Sequence, residues 1–186
     1  MIDAAQAGGR IPMDVQKSQC DFMTICGRKS IMGPQGTGAL YLKKDHADMM
    51  SPMNIGSRAG NVVNEGTITL NTAPLKFEEG VLNTAGVIGL GVAVDTLTEI
   101  GLETVQERIA ELTQYMIDEL VKIPEVVLYG TRDAKRLAGV ISIMLGASII
   151  GSENEEYKAG IIKGLQSVNA SGLLHCIVVH CGSFAY

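Results

Sequence analysis

Lys29 stands directly behind Arg28, and within a few residues the chain enters the run Gly33-Pro34-Gln35-Gly36-Thr37-Gly38. An apolar stretch, Cys20 to Cys26, precedes the pair. If that stretch is a strand, Lys29 leaves its carboxyl end, the edge of an α/β sheet where ligand sites gather. A lysine amine attacks carbonyl groups once burial or a second cation favours its neutral form. Arg28 is such a cation, and a guanidinium also grips phosphate. The glycine run could cradle a phosphate with its amides. Lys29 precedes those glycines, however, where the lysine of a P-loop follows them. A covalent cofactor lysine, a phosphate cradle and a solvated turn are all compatible with these residues.

Asp3 and Gln6 end a second short apolar segment. An aspartate can pair with a protonated pyridine nitrogen and a glutamine amide can donate to a phenolic oxygen; both are equally at home as a strand-to-loop cap. Near the other end, His175, Cys176, His180 and Cys181 fall in the run Leu174 to Cys181. As a strand, that run sets His175 and His180 on opposite faces, which argues against a shared metal. Its two thiols can also be small apolar fillers of a buried strand.

The elements that would position these residues follow from hydrophobic spacing. Ile2 to Gln6 reads as a strand end and a loop. Cys20 to Cys26 is continuously apolar, the pattern of a parallel strand buried on both faces. Gly38 to Lys44 reads as the next strand, and Ala47 to Thr72 as a loose, glycine-interrupted loop. Asn83 to Glu99 predicts a buried helix with Asn83 as its N-cap. Leu102 to Lys122 predicts an amphipathic helix, with Val105, Ile109, Leu112, Met116 and Leu120 on one face. Val126 to Gly130, Gly139 to Leu145 and Leu174 to Cys181 read as strands, and Glu153 to Leu165 as a short helix. This order indicates an α/β or α+β architecture, with a boundary near Gly101.

Composition sets the outer limits. The 186 residues are enough for a sizeable core. A net charge of −5 and the lack of any basic run argue against nucleic-acid binding. No apolar run is long enough to predict a membrane span, and the opening residues have no apolar leader region. The 4 cysteines are too scattered for a disulfide framework. These features lead to the expectation of a cytoplasmic protein with reduced thiols.

The ordered stretch Ile2 to Lys44 resembles the cofactor-lysine region of class V, fold-type I pyridoxal-phosphate enzymes, in particular cysteine desulfurases and selenocysteine lyases. Lys76 to Val94 is similar to the family's Arg-Phe-Glu-x-Gly-Thr-x-Asn segment and the helix after it. Ile123 to Gly130 and Gly139 to Leu145 resemble the entry to the family's small domain. The resemblance covers most of residues 2 to 145. It implies that residues 1–100 are the C-terminal part of a pyridoxal-phosphate-binding large domain, mainly parallel in sheet. Residues 101–186 would then be part of an α+β C-terminal domain. The family's N-terminal half of the large domain and its extreme C-terminus have no counterpart here, so the resemblance also implies a fragment.

Residue by residue, the resemblance makes Lys29 the Schiff-base lysine, Asp3 the partner of the pyridine nitrogen and Gln6 a contact of the phenolic oxygen. Cys26 and Arg28 stand where the family has a serine and a histidine at the phosphate. Ser57 would approach the cofactor phosphate of a second subunit. Cys176 stands nearest to the family's nucleophilic cysteine, with Cys181 second. An extra residue separates Gly172 from His175, and Asn169 and Ala170 occupy the place of the family's substrate-carboxylate arginine. The implied reaction is release of sulfur from cysteine, giving alanine through a persulfide on the enzyme. The alternatives are selenocysteine cleavage, another class V aminotransferase reaction, or a non-catalytic fragment. The implied partners are a second copy, a complementing N-terminal half, or a sulfur-acceptor protein of the kind used in iron–sulfur assembly.

Overall fold

The computed structural model describes residues 1–124 and 126–145, together with the backbone of the strand at 176–181. The predicted helix Glu153 to Leu165 and the residues up to His175 lie outside the described residues. The chain divides into two compact units. One comprises Met1–Gly8 and Met13–Glu99; the other comprises Gly9–Pro12 and the chain from Ile100 onward.

The first unit is built on a three-stranded sheet. β1 (Ile2–Asp3) lies parallel to β2 (Phe22–Cys26), with Ile2 opposite Met23 and Asp3 opposite Thr24. β3 (Gly38–Leu42) returns antiparallel, with Cys26 opposite Gly38. Ala4, Cys20 and Met23 are buried together, and Ala7, Met13, Val15, Ile25 and Tyr41 pack around them. The expectation that the Cys20 to Cys26 run is buried on both faces does not hold. Only Met23 of β2 is buried, because β1 covers just two residues of it and β3 leaves much of its own surface exposed.

The stretch from Ala47 to Thr72 is more ordered than its glycines suggest. A short helix, α1 (Lys44–Met49), leads into it. It then forms a hairpin of β4 (Gly60–Asn64) and β5 (Thr67–Leu70), with Val62 opposite Ile68. Gly66 sits in the tight connection at φ +83°, a left-handed conformation that a side chain resists. Lys76 is buried beyond the hairpin; its Nζ donates to the carbonyl of Asp48 at 3.1 Å and lies 5.2 Å from the centre of the Phe77 ring.

α2 spans Thr84–Ile100. Asn83 caps it as expected: its Oδ1 accepts from the Gly86 amide at 3.0 Å. Only Gly86 and Leu97 are buried, so the expectation of a buried helix is not met. Val87, Ile88 and Val92 are all more than half exposed.

In the second unit, α3 (Leu102–Leu120) packs one face against a sheet. β6 (Val126–Tyr129) and β7 (Val140–Leu145) pair antiparallel, with Leu128 opposite Ile143. β8 (Cys176–Cys181) runs parallel to β7, with Cys176 opposite Val140. Met116, Ile117, Leu120, Ala134, Ile141 and Ile143 form the core, with Ile123, Val126, Leu128 and Leu137 against it. The 3.6-residue spacing explains this: Ile109, Met116 and Leu120 are buried on the predicted face. Among the described residues no single helix is long and apolar enough to cross a membrane.

Candidate functional site

Two strand ends bring Asp3 and Cys26, and the residues that follow each, to one edge of the first unit's sheet. Because β1 and β2 are parallel, both release the chain at the same edge of the sheet. Asp3 is the last residue of β1, and Cys26 is the last of β2. Asp3 pairs with Thr24, so Cys26 lies two positions further along the neighbouring strand, roughly 7 Å on. Parallel pairing thus sets a carboxylate beside the strand that leads into Arg28 and Lys29.

The carboxylate of Asp3 is held by its surroundings. Its Oδ1 accepts from the Ala5 amide at 2.9 Å and lies 3.4 Å from the Thr24 hydroxyl, which donates to it. The Ala4 amide donates to the carbonyl of Thr24 at 2.9 Å, and the Gly8 amide to that of Ala4 at 2.8 Å. These bonds turn the chain sharply after β1 and present Gln6, which is half-buried, within one compact turn.

After β2 the chain makes a second tight turn. The Gly33 amide donates to Gly27 O at 2.8 Å, the Met32 amide to Lys29 O at 2.8 Å and the Gly27 amide to Thr37 O at 3.0 Å. Thr37 closes the turn by donating its hydroxyl to Pro34 O at 2.6 Å. Gly27 is obligatory here, because a Cβ would overlap the Thr37 side chain and meet Leu90 of α2. The glycine run is therefore a closely packed turn that returns the chain into β3. Lys29, half-buried, rides on it and has no side-chain partner among the described residues. Arg28 beside it is exposed, and Ser30 is buried. A carboxylate held by two donors, a half-buried amine and an exposed guanidinium fit a flat, cationic heterocycle that bears a phosphate.

Ser57 and Cys176 belong to other elements of the chain. Ser57 is exposed in the segment between α1 and β4. Its neighbour Arg58 faces Glu78, Nε to Oε2, at 3.5 Å, and the carbonyl of Arg58 accepts from Asn71 Nδ2 at 2.8 Å. Cys176 is the first residue of β8 and Cys181 the last, both in the second unit. Two polar residues with structural roles were not anticipated from sequence. Thr24, which steadies Asp3, gave no signal beyond its place in an apolar run. Arg10 is buried and donates Nη1 to Ala138 O at 2.8 Å and to Gly139 O at 3.2 Å.

Known proteins resemble this chain in sequence and in fold. The chain is 37% identical over 171 residues to a cysteine desulfurase of Enterobacter sp. (strain 638), covering 88% of this chain and 40% of that one. It is 38% identical over 168 residues to a cysteine desulfurase of Pectobacterium atrosepticum, with the same coverage. The apo structure of a cysteine desulfurase from Thermococcus onnurineus NA1 superposes with a TM-score of 0.71 at 32% identity, over 88% of this chain and 40% of that chain. The chain thus spans about 40% of the length of the curated relatives it matches. The model of the family described as aminotransferase class-V matches residues 1–160, which takes in both strand ends and the Lys29 turn: the chain belongs to the class V aminotransferase family.

Proposed function

We propose that this chain supplies the lysine-bearing part of a pyridoxal-phosphate site and works in sulfur release from cysteine. The observation that supports this best is the shared sheet edge, with Asp3 ending β1 and Lys29 following β2 on its parallel neighbour. In this reading residues 1–100 belong to the cofactor-binding large domain and residues 101–186 to part of a smaller one.

Lys29 would hold the cofactor covalently and move protons at the substrate carbon. Asp3 would pair with the ring nitrogen and keep its proton in place; two donors already fix its Oδ1. Gln6 would reach the phenolic oxygen from the turn after β1. Arg28 would meet the phosphate with a permanent charge, and Cys26 would offer it a weaker donor than a hydroxyl. Bound there, pyridoxal phosphate supplies an electron sink for bonds broken at the substrate carbon. Ser57 would serve a second subunit's phosphate. Cys176 would accept the sulfur, with Cys181 as the second candidate. The substrate class is cysteine or selenocysteine, and a sulfur-acceptor protein would take the product.

The test is turnover of cysteine by the chain with added pyridoxal phosphate. The reading expects alanine and bound sulfur in equal amounts, loss of both in Lys29→Ala, and loss of sulfur transfer in Cys176→Ala. Sulfur transfer surviving in full in Cys176→Ala would shift the reading to a class V reaction that needs no cysteine. A second reading is favoured by the exposed apolar face of α2. In it, the chain is non-catalytic and associates with a second copy or with a complementing N-terminal half. Folded chain that turns over no cysteine and sediments as an assembly supports that second reading instead.

A further inference from the structure

We propose that Leu90, on α2, is a positioning residue that braces the turn carrying Lys29. The proposal rests on the reading of Lys29 as the cofactor lysine.

Spacing along α2 decides which of its sides meets the rest of the first unit. Gly86, Leu90, Ala93 and Leu97 recur at four-, three- and four-residue intervals and so share one face. Gly86 and Leu97 are buried on that face, and Leu90 and Ala93 are half-buried. Ile88 and Val92 lie off it and are exposed.

Both ends of the Lys29 turn meet one methyl group on this face. A Cβ on Gly27 would lie 3.0 Å from Leu90 Cδ1, and a Cβ on Gly33 would lie 2.8 Å from the same atom. Gly27 and Gly33 are also the residues that close the turn, the Gly33 amide donating to Gly27 O at 2.8 Å. Leu90 therefore fills the space that two absent side chains leave at the closure. One residue earlier, Gly89 admits Pro34: a Cβ there would come within 2.7 Å of Pro34 Cγ. Lys29 sits inside the braced closure, its carbonyl accepting from the Met32 amide at 2.8 Å. Contacts of this kind are forfeited once a small gap opens. Here the gap would be flanked by glycines, the residues with the most backbone freedom to regain. A leucine that served only to stabilise α2 would leave the turn closed when cut back.

Hydrogen exchange at the amides of the full chain, without added cofactor, separates these roles. Leu90→Ala should speed exchange at Met32 and Gly33 by about tenfold or more, because it empties the space beneath the closure. Leu90→Met, nearly equal in volume, should restore most of the protection. Leu97→Ala, cut from the same face, should loosen α2 but leave the two turn amides within about twofold of the unsubstituted chain. Where an alanine variant does not fold, the valine variant at that position takes its place; at residue 90 it also removes Cδ1. With pyridoxal phosphate added, Leu90→Ala should slow the appearance of the visible band by about tenfold, as a misplaced amine does, and Leu90→Met should recover it. Three results would overturn the proposal: unchanged turn amides in Leu90→Ala, equal opening of them in Leu97→Ala, or opened amides with an unchanged rate of band formation. If the unsubstituted chain forms no band, the cofactor reading fails, and the amide comparison alone decides whether Leu90 braces the turn.

Discussion

The two units hold themselves together in different ways. The second unit has a conventional core: α3 lays Met116, Ile117 and Leu120 against Ile141 and Ile143 of its sheet. The first unit buries only Ala4, Cys20 and Met23 as its central cluster and leaves α2 with Val92 61% exposed. α3 is half polar and hides its apolar face, whereas α2 is apolar nearly all round and shows most of it to solvent. A helix of that composition is normally buried on every side. The first unit therefore depends more on local devices, such as helix caps, tight turns and hairpin geometry, and it presents an apolar face of the kind that proteins cover by association.

The largest expected effect is in the second unit. Met116→Ala should cost about 2–5 kcal/mol, because it empties a filled core site. Chemical denaturation followed by exchange at the α3 amides measures this, and a loss under about 1 kcal/mol would erase the contrast between the units. Next comes the cap of the first unit. Asn83→Ala removes the acceptor for the Gly86 amide and should cost about 1 kcal/mol. The expected signature is earlier fraying of α2, seen as faster exchange in its first turn.

A smaller change in stability, with a larger change in behaviour, is expected on the open face of α2. Ile88→Gln with Val92→Gln should alter folding free energy by less than about 0.5 kcal/mol, as surface substitutions do. The same pair should reduce self-association in sedimentation and lower the binding of a hydrophobic dye. A loss of stability comparable to Met116→Ala would mean that α2 is packed after all. The smallest effect concerns Asp14, an exposed turn residue. The amides of Lys17 and then Gln16 donate to its carboxylate and hold it below its ordinary value of 3.8. A lowered folded-state value means that the charged form favours the folded chain. Its contribution is present above pH 3.8 and fades as the pH falls through the lowered value. Asp14→Asn should therefore lie slightly below the unsubstituted chain at neutral pH and converge with it in acid.

How much of this was legible in sequence varied with the physics of each region. α3 was, because its apolar spacing and its packing agree. The extent of α2 and its Asn83 cap were legible too, but its exposure was not: apolar composition reports what a helix can bury and says nothing of what covers it. α1 and the β4–β5 hairpin were missed. Six residues without a capping side chain give little periodic signal, and glycines between Met49 and Thr72 masked the Glu65-Gly66 turn. Asp3 and Lys29 were legible as candidates from residue type and motif order. That they leave one sheet edge depends on β1 and β2 being parallel neighbours, which spacing alone does not determine. Arg10 was invisible because its acceptors are backbone carbonyls near residue 139, far away in sequence.

Lys29 is proposed to hold pyridoxal phosphate at the edge shared by β1 and β2. Adding the cofactor to the folded chain and recording its visible absorption tests this most directly. A new absorption band is expected that survives removal of free cofactor, persists in Lys44→Ala and disappears in Lys29→Ala. Folded chain that shows no such band, or a band that remains in Lys29→Ala, would contradict it.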